Sequence, residues 1–225
     1  MFDAKQFFNA KMENESQAQE IETRYYAPEP ESFNFVAPTS NSSEMVEMFS
    51  STLLMTNLGQ QYIQSMVDVI DYENKNEIIS SGLTSERNTY VTDKNLHERH
   101  NSVKQLLETA VNVINDKYSI STNISKSWLN INNPGGFEFK QNQEGFLTGL
   151  FFVNVPSDSN SDVVLHNPSV GAIHQPEAQK LNERYMMITP ESGDLIVFPS
   201  WVPFHVEQNM SESNLISIRF NVLLK

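Results

Sequence analysis

The chain of 225 residues contains no cysteine, which removes disulfides, thiolate metal ligands and thiol nucleophiles together. Any metal must then be held by His, Asp or Glu, and histidines number five. Positive charge is scarce, with 15 Lys and Arg against 28 Asp and Glu and a formal net charge of −13. Phosphate contacts need clustered cations, so this balance excludes an extended nucleic-acid surface; it reads as solubility and self-repulsion. No apolar run approaches the roughly 20 residues of a membrane-spanning helix. The start, MFDAKQFFNAKMENESQ, lacks the basic segment and apolar stretch of a secretory signal. The sequence also lacks G-x-S-x-G, a phosphate loop and a zinc signature.

What is present divides into two parts. Residues 1–45 are rich in Pro, Ser, Asn and Glu, without helical or strand periodicity, and read as an extended N-terminal arm. Its aromatic residues come in clumps, Phe2, Phe7 and Phe8, then Tyr25 and Tyr26, a spacing that suits docking onto a partner. Residues 46–225 read as one folded domain. A short apolar run, MFSSTLLMTNL, precedes an amphipathic helix carrying Leu58, Tyr62, Ile63, Met66, Val67 and Ile70. A second helix spans Leu96 to Ile114, with Asp93 or Asn95 as N-cap and with His97 and His100 beside its apolar stripe. Beyond Tyr118 the text becomes short apolar runs separated by Asn, Pro and Gly, which predicts an antiparallel sandwich or barrel. The dense runs at 146–155 and 215–224 are expected to be its central strands. The fold class is thus α+β: a jelly-roll core, two packing helices and the arm.

The segments GFLTGLFFVNVP, VVLHNP, TPESGDLIVFPSWVPFHVEQN and ISIRFN resemble the 2-oxoglutarate/Fe(II) oxygenases of phages and bacteria, whose core is a double-stranded β-helix. The likeness runs from about Met48 onward, and its most specific phrase is Gly193 to Trp201. Such enzymes hold Fe(II) by a facial set of imidazoles and a carboxylate, leaving positions open for 2-oxoglutarate and O₂. The resemblance implies an H-x-H pair before Leu147-Thr148-Gly149, but counting back meets Lys140 and Asn142. The family's acidic D-P position reads Asn167-Pro168, its distal His falls on Phe204, and its Arg on Leu215.

His205 lies one residue beyond the distal position. Successive side chains on a strand face opposite ways, so Phe204 is expected to plug the cavity and His205 to point away, unless a bulge restores it. Arg219 shares the parity of Leu215 and is the alternative partner for a cofactor carboxylate. His205 with His166, or with His174, Glu144 or Asp162, is the alternative metal set. With those exceptions the catalytic, metal and cofactor positions are expected to be empty of function. The resulting expectation is a non-enzymatic structural protein of a phage virion, in the neck, tail or capsid. It would work with other virion proteins as a homo-oligomer or part of a large assembly, without nucleic acid or membrane, and would reside in the bacterial host's cytoplasm before assembly. Two other readings stand beside it: an active Fe(II)/2-oxoglutarate dioxygenase, and a carbohydrate-binding jelly roll that stacks sugars on Trp128 and Trp201. In the family phrase, Trp201 itself reads better as a packing residue.

Overall fold

Short apolar runs build both sheets of this protein. The computed structural model describes residues 33–36, 44–48, 51–75, 88–159, 161–168 and 185–225. In chain order the elements are β1 (Phe33–Val36), β2 (Glu44–Met48), β3 (Ser51–Asn57), α1 (Gln60–Lys75), β4 (Thr89–Val91), α2 (Leu96–Arg99) and α3 (Asn101–Tyr118). There follow β5 (Thr122–Asn132), β6 (Leu147–Asn154), β7 (Val163–His166), β8 (Tyr185–Thr189), β9 (Asp194–Pro199), β10 (Phe204–Val206) and β11 (Leu215–Leu224). A seven-stranded sheet has the order β2-β3-β9-β6-β11-β5-β4, and a four-stranded sheet the order β1-β8-β7-β10. The strands expected to be central, β6 and β11, are paired with each other in the middle of the larger sheet.

The two faces of the large sheet feed two cores. Leu54, Leu147, Phe151, Leu195, Val197, Ile218, Phe220 and Val222 pack with Met66, Val69 and Ile70 of α1 and with Val103, Leu106, Leu107, Ala110 and Ile114 of α3. Their alternates, Leu53, Met55, Leu150, Phe152, Ile196 and Phe198, meet Val163, Leu165, Met186, Ile188, Phe204 and Val206 of the small sheet. Two facing sheets with helices on the outside of the larger one make the expected α+β double-stranded β-helix with two packing helices. Among the described residues, no helix is long and apolar enough to cross a membrane.

One end of the space between the sheets is polar. Asn130 and Asn132 of β5 and Ser217, Arg219 and Asn221 of β11 are all buried. Register fixes their direction: Arg219 lies opposite Trp128 and Leu150, and Ser217 opposite Asn130 and Phe152. Cross-strand partners share a face, and Leu150 and Phe152 belong to the core between the sheets.

The G-D pair of the family phrase has a structural task. Gly193 has φ +97°, a conformation that favours glycine. Asp194 accepts the amide N–H of Glu191 at 2.8 Å and the side-chain amide of Asn57 at 2.8 Å, which ties the β9 turn to the end of β3. Burial pushes the Asp194 carboxyl up.

Three expectations change. Strand structure reaches into residues 1–45, where the sequence shows no periodicity: β1 lies there and runs parallel to β8, and β2 begins there and pairs with β3. Four- and five-residue strands are too short to display a period. The helix expected over Leu96 to Ile114 is divided at His100, which is extended with φ −122° and ψ 115°. Asn95 occupies the N-cap of α2, but neither it nor His100, the N-cap of α3, makes a side-chain capping bond. Trp201 is not a packing residue, being 50% exposed in the turn after β9. The docking aromatics Phe2, Phe7, Phe8, Tyr25 and Tyr26, and His174, lie outside the described residues.

Candidate functional site

At the polar end a cavity of about 150 Å³ is lined by residues that include Thr89, Trp128, Asn130, Glu138, Gln141, Gln143 and Arg219. β5 and β11 supply its floor. The irregular segment between β5 and β6 supplies its wall, held by backbone hydrogen bonds that include a two-way bridge between Gln141 and Phe204, at 2.8 and 2.9 Å.

Its centre is an ion pair. Arg219 Nη1 and Nη2 donate to Glu138 Oε2 and Oε1, each at 2.5 Å, with side chains 2% and 6% exposed. Oε1 also accepts from the amides of Asn130 and Asn132 at 3.1 Å, and Oε2 from the amide of Gln141 at 3.1 Å. Arg219 Nε donates to Ser217 Oγ at 3.3 Å. A buried charge pair needs this degree of hydrogen-bond satisfaction to offset its desolvation. Spacing does not distinguish Glu138 from the other acidic residues; the usable signal is Arg219 itself, a cation inside the apolar run LISIRFNVLL that demands a counter-ion.

Phe204 does plug the interior. It is fully buried, stands edge-on to Phe198 with ring centroids 5.0 Å apart, and has the Arg219 guanidinium 5.8 Å from its ring centre. Leu215 is buried in the same core, and Asn167 is buried after β7. Arg219 has the expected inward direction, but its fork is taken by Glu138. The positions reached by counting back from Leu147, Lys140 and Asn142, are exposed, while their neighbours Gln141 and Gln143 line the cavity. Alternation does not carry across Gly145, which has φ +107°.

His205 points away from the plug, as its parity requires. Its Nδ1 lies 2.9 Å from Nε2 of His166, the rings 5.0 Å apart and tilted by 30°. These two alternative ligands therefore meet each other, and among the described residues no three His, Asp or Glu are grouped to hold a metal ion. Glu144 is exposed and paired with Lys126, and Asp162 offers its backbone carbonyl to Glu207 at 3.0 Å. His97 and His100 are structural: His97 Nδ1 bonds Ser127 Oγ at 2.7 Å, while His100 and Arg99 hold the buried carboxylate of Glu73. Trp128 is buried beneath the Lys94 ammonium, 5.5 Å from its ring.

Burial pushes the His166 imidazole down to about 4, with Lys140 and His205 acting in the same direction. His205 is lowered as well, first by burial, with Glu138 opposing and Lys140 adding. An unfolded His titrates near about 6.5. Between that value and the folded one the unfolded chain binds more protons, so stability is full above the unfolded value and falls as pH drops through the window. We expect His166→Asn to flatten the decline of the melting temperature from about pH 6.5 to 4 relative to the wild type. Identical slopes would remove the imidazole pair from the response.

The geometry can now be set beside known proteins. Residues 126–221 match the family described as "Putative 2OG-Fe(II) oxygenase". The carbocyclase SnoK of nogalamycin biosynthesis, non-heme and alpha-ketoglutarate dependent, superposes with a TM-score of 0.59 at 11% identity, over 77% of this chain and 80% of its own. A prolyl-4-hydroxylase of Pseudomonas putida gives 0.56 at 11% identity, over 77% and 92%. HygX of Streptomyces hygroscopicus, solved with nickel, 2-oxoglutarate and hygromycin B, gives 0.56 at 9%, over 77% and 83%. No curated protein sequence matches. The core thus has the double-stranded β-helix fold of the non-heme oxygenases, and its residues 126–221 are similar to the putative 2OG-Fe(II) oxygenases.

Among the described residues, those that line the cavity do not fit the metal. Fe(II) in such a site wants imidazoles and a carboxylate on one face, whereas the cavity offers amides, a phenyl ring and a single carboxylate already spent on Arg219. A guanidinium beside that carboxylate would also oppose a divalent cation.

Proposed function

We propose that this protein is a non-enzymatic structural component of a phage virion, in the neck, tail or capsid, built on the 2OG-Fe(II) oxygenase fold and working without Fe(II) or 2-oxoglutarate. The observation that carries the non-enzymatic part is Phe204: a hydrocarbon ring, fully buried, at the position where the resemblance asks for the distal imidazole. A scaffold without chemistry remains useful as an interaction module, because fold and function separate readily. The arm, with Phe2, Phe7, Phe8, Tyr25 and Tyr26, would dock on neighbouring virion proteins after synthesis in the host cytoplasm.

Two measurements test this reading. Purified protein supplied with Fe(II) or Mn(II) and 2-oxoglutarate should bind far less than one metal per chain and form no succinate above buffer. Stoichiometric metal with succinate release would instead establish the dioxygenase, the reading that the fold favours. Separately, deletion of residues 1–31 should leave a folded domain that is not incorporated into particles. The cut stops there because Ser32–Lys225 is one compact unit that includes β1 and β2. Normal incorporation of the shortened chain would remove the arm from the proposal.

A further inference from the structure

The carboxylate of Glu138 is surrounded as a bound ligand would be. Five donors converge on it, from Arg219 Nη1 and Nη2, Asn130 Nδ2, Asn132 Nδ2 and Gln141 Nε2, which fills the roughly four lone-pair sites a carboxylate offers. Four of those five belong to the strands β5 and β11, which pair without interruption from Leu215 opposite Asn132 to Asn221 opposite Lys126. Glu138 itself sits on the irregular segment between β5 and β6. The receptor groups are thus placed by the sheet, independently of the group they receive, and the cavity opens directly beside them.

We propose that Glu138 is the built-in occupant of a carboxylate seat, and that this seat takes a free small carboxylate once the Glu138 side chain is removed. Planar bidentate pairing with Arg219, with amides on the remaining lone pairs, is the chemistry that recognises a carboxylate in preference to a spherical anion. In the wild type the tethered carboxylate has an effective concentration of about millimolar or more, so free carboxylates, 2-oxoglutarate included, are kept out. The inference rests on the non-catalytic reading but concerns a different group, Arg219, and it is tested without metal.

Glu138→Ala deletes the atoms of an acetate ion, so acetate is the probe. In metal-free buffer with EDTA, this variant should melt on the order of 10 °C below the wild type, because Arg219 is left buried and unpaired. Acetate at about 100 mM should return about 3–5 °C if it dissociates near about 10 mM, saturably, while chloride at equal ionic strength returns none. Fluorescence of Trp128, which lines the cavity, should follow the same titration. Glu138→Gln keeps the seat filled by a neutral group and should not respond to acetate. The wild type should respond to neither acetate nor 2-oxoglutarate. If Glu138→Ala does not fold in dilute buffer, its refolding yield should depend on acetate and not on chloride. A Glu138→Ala variant indifferent to acetate in melting, fluorescence and refolding would overturn the proposal, as would metal-free binding of 2-oxoglutarate by the wild type below about 1 mM. Failure of the non-catalytic reading would appear elsewhere, as metal and succinate in metal-supplied wild type.

Discussion

Arg219→Met should lower the stability of the domain by about 3–5 kcal/mol, because it leaves the Glu138 carboxylate buried with its charge unpaired. Methionine fills much of the arginine volume, so the loss is electrostatic rather than a cavity effect. Three amide donors from Asn130, Asn132 and Gln141 remain on the carboxylate, and they soften the loss without supplying a counter-charge. The double variant Glu138→Gln/Arg219→Met should recover most of it, since replacing both members of a buried pair with neutral groups is often close to neutral. Urea denaturation of the wild type, both single variants and the double variant would give the coupling directly. Single losses under about 1 kcal/mol, or losses that add, would mean that water screens the pair and that the site is wetter than its burial indicates.

The second large effect lies on the opposite face of β11, where it pairs with β6. Gly149 is the register partner of Phe220, and the phenyl ring lies across the place where a side chain would stand. A Cβ on Gly149 would come within 2.6 Å of Phe220 Cε2 and closer still to its neighbours in the ring. Phe220 is fully buried against the helices, so the ring has little room to retreat. Gly149→Ala should therefore cost about 1–3 kcal/mol or more by overpacking, although the backbone conformation is ordinary. Phe220→Leu should cost stability on its own and yet partly rescue Gly149→Ala, a non-additivity that two residues in contact should show. Equal losses for Phe220→Leu in both backgrounds would place the ring elsewhere.

These two sites show what the sequence made legible. The strands announced themselves as dense apolar runs, and β6 and β11 read as central because both of their faces are apolar. Interior direction was readable where a strand is regular: Phe204 and His205 face opposite ways, and Arg219 shares the interior with Leu215. It was unreadable between Asn132 and Leu147, where the chain is not a strand and Gly145 turns with positive φ. There, the family's spacing selects Lys140 and Asn142, whereas Gln141 and Gln143 line the cavity. Glu138 stayed hidden because its meaning depends on a cation 81 positions away. The break at His100 also left no mark, since neither glycine nor proline makes it; the Arg99 ion pair and the His100 hydrogen bond with Glu73 hold it from outside the helix.

The order of strands in the large sheet bears on how the chain assembles. β11, the last strand in sequence, lies between β6 and β5, so neither of those two strands can complete its pairing until the latest-arriving segment is in place. Until then β5 and β6 are open edges, that of β6 largely apolar, the kind of surface on which chains associate wrongly. Every contact that closes the sheet is also long in sequence, which slows folding. Loss of residues 215–224 would therefore split the sheet through its middle instead of trimming an edge, leaving Glu138 with no cation to receive it.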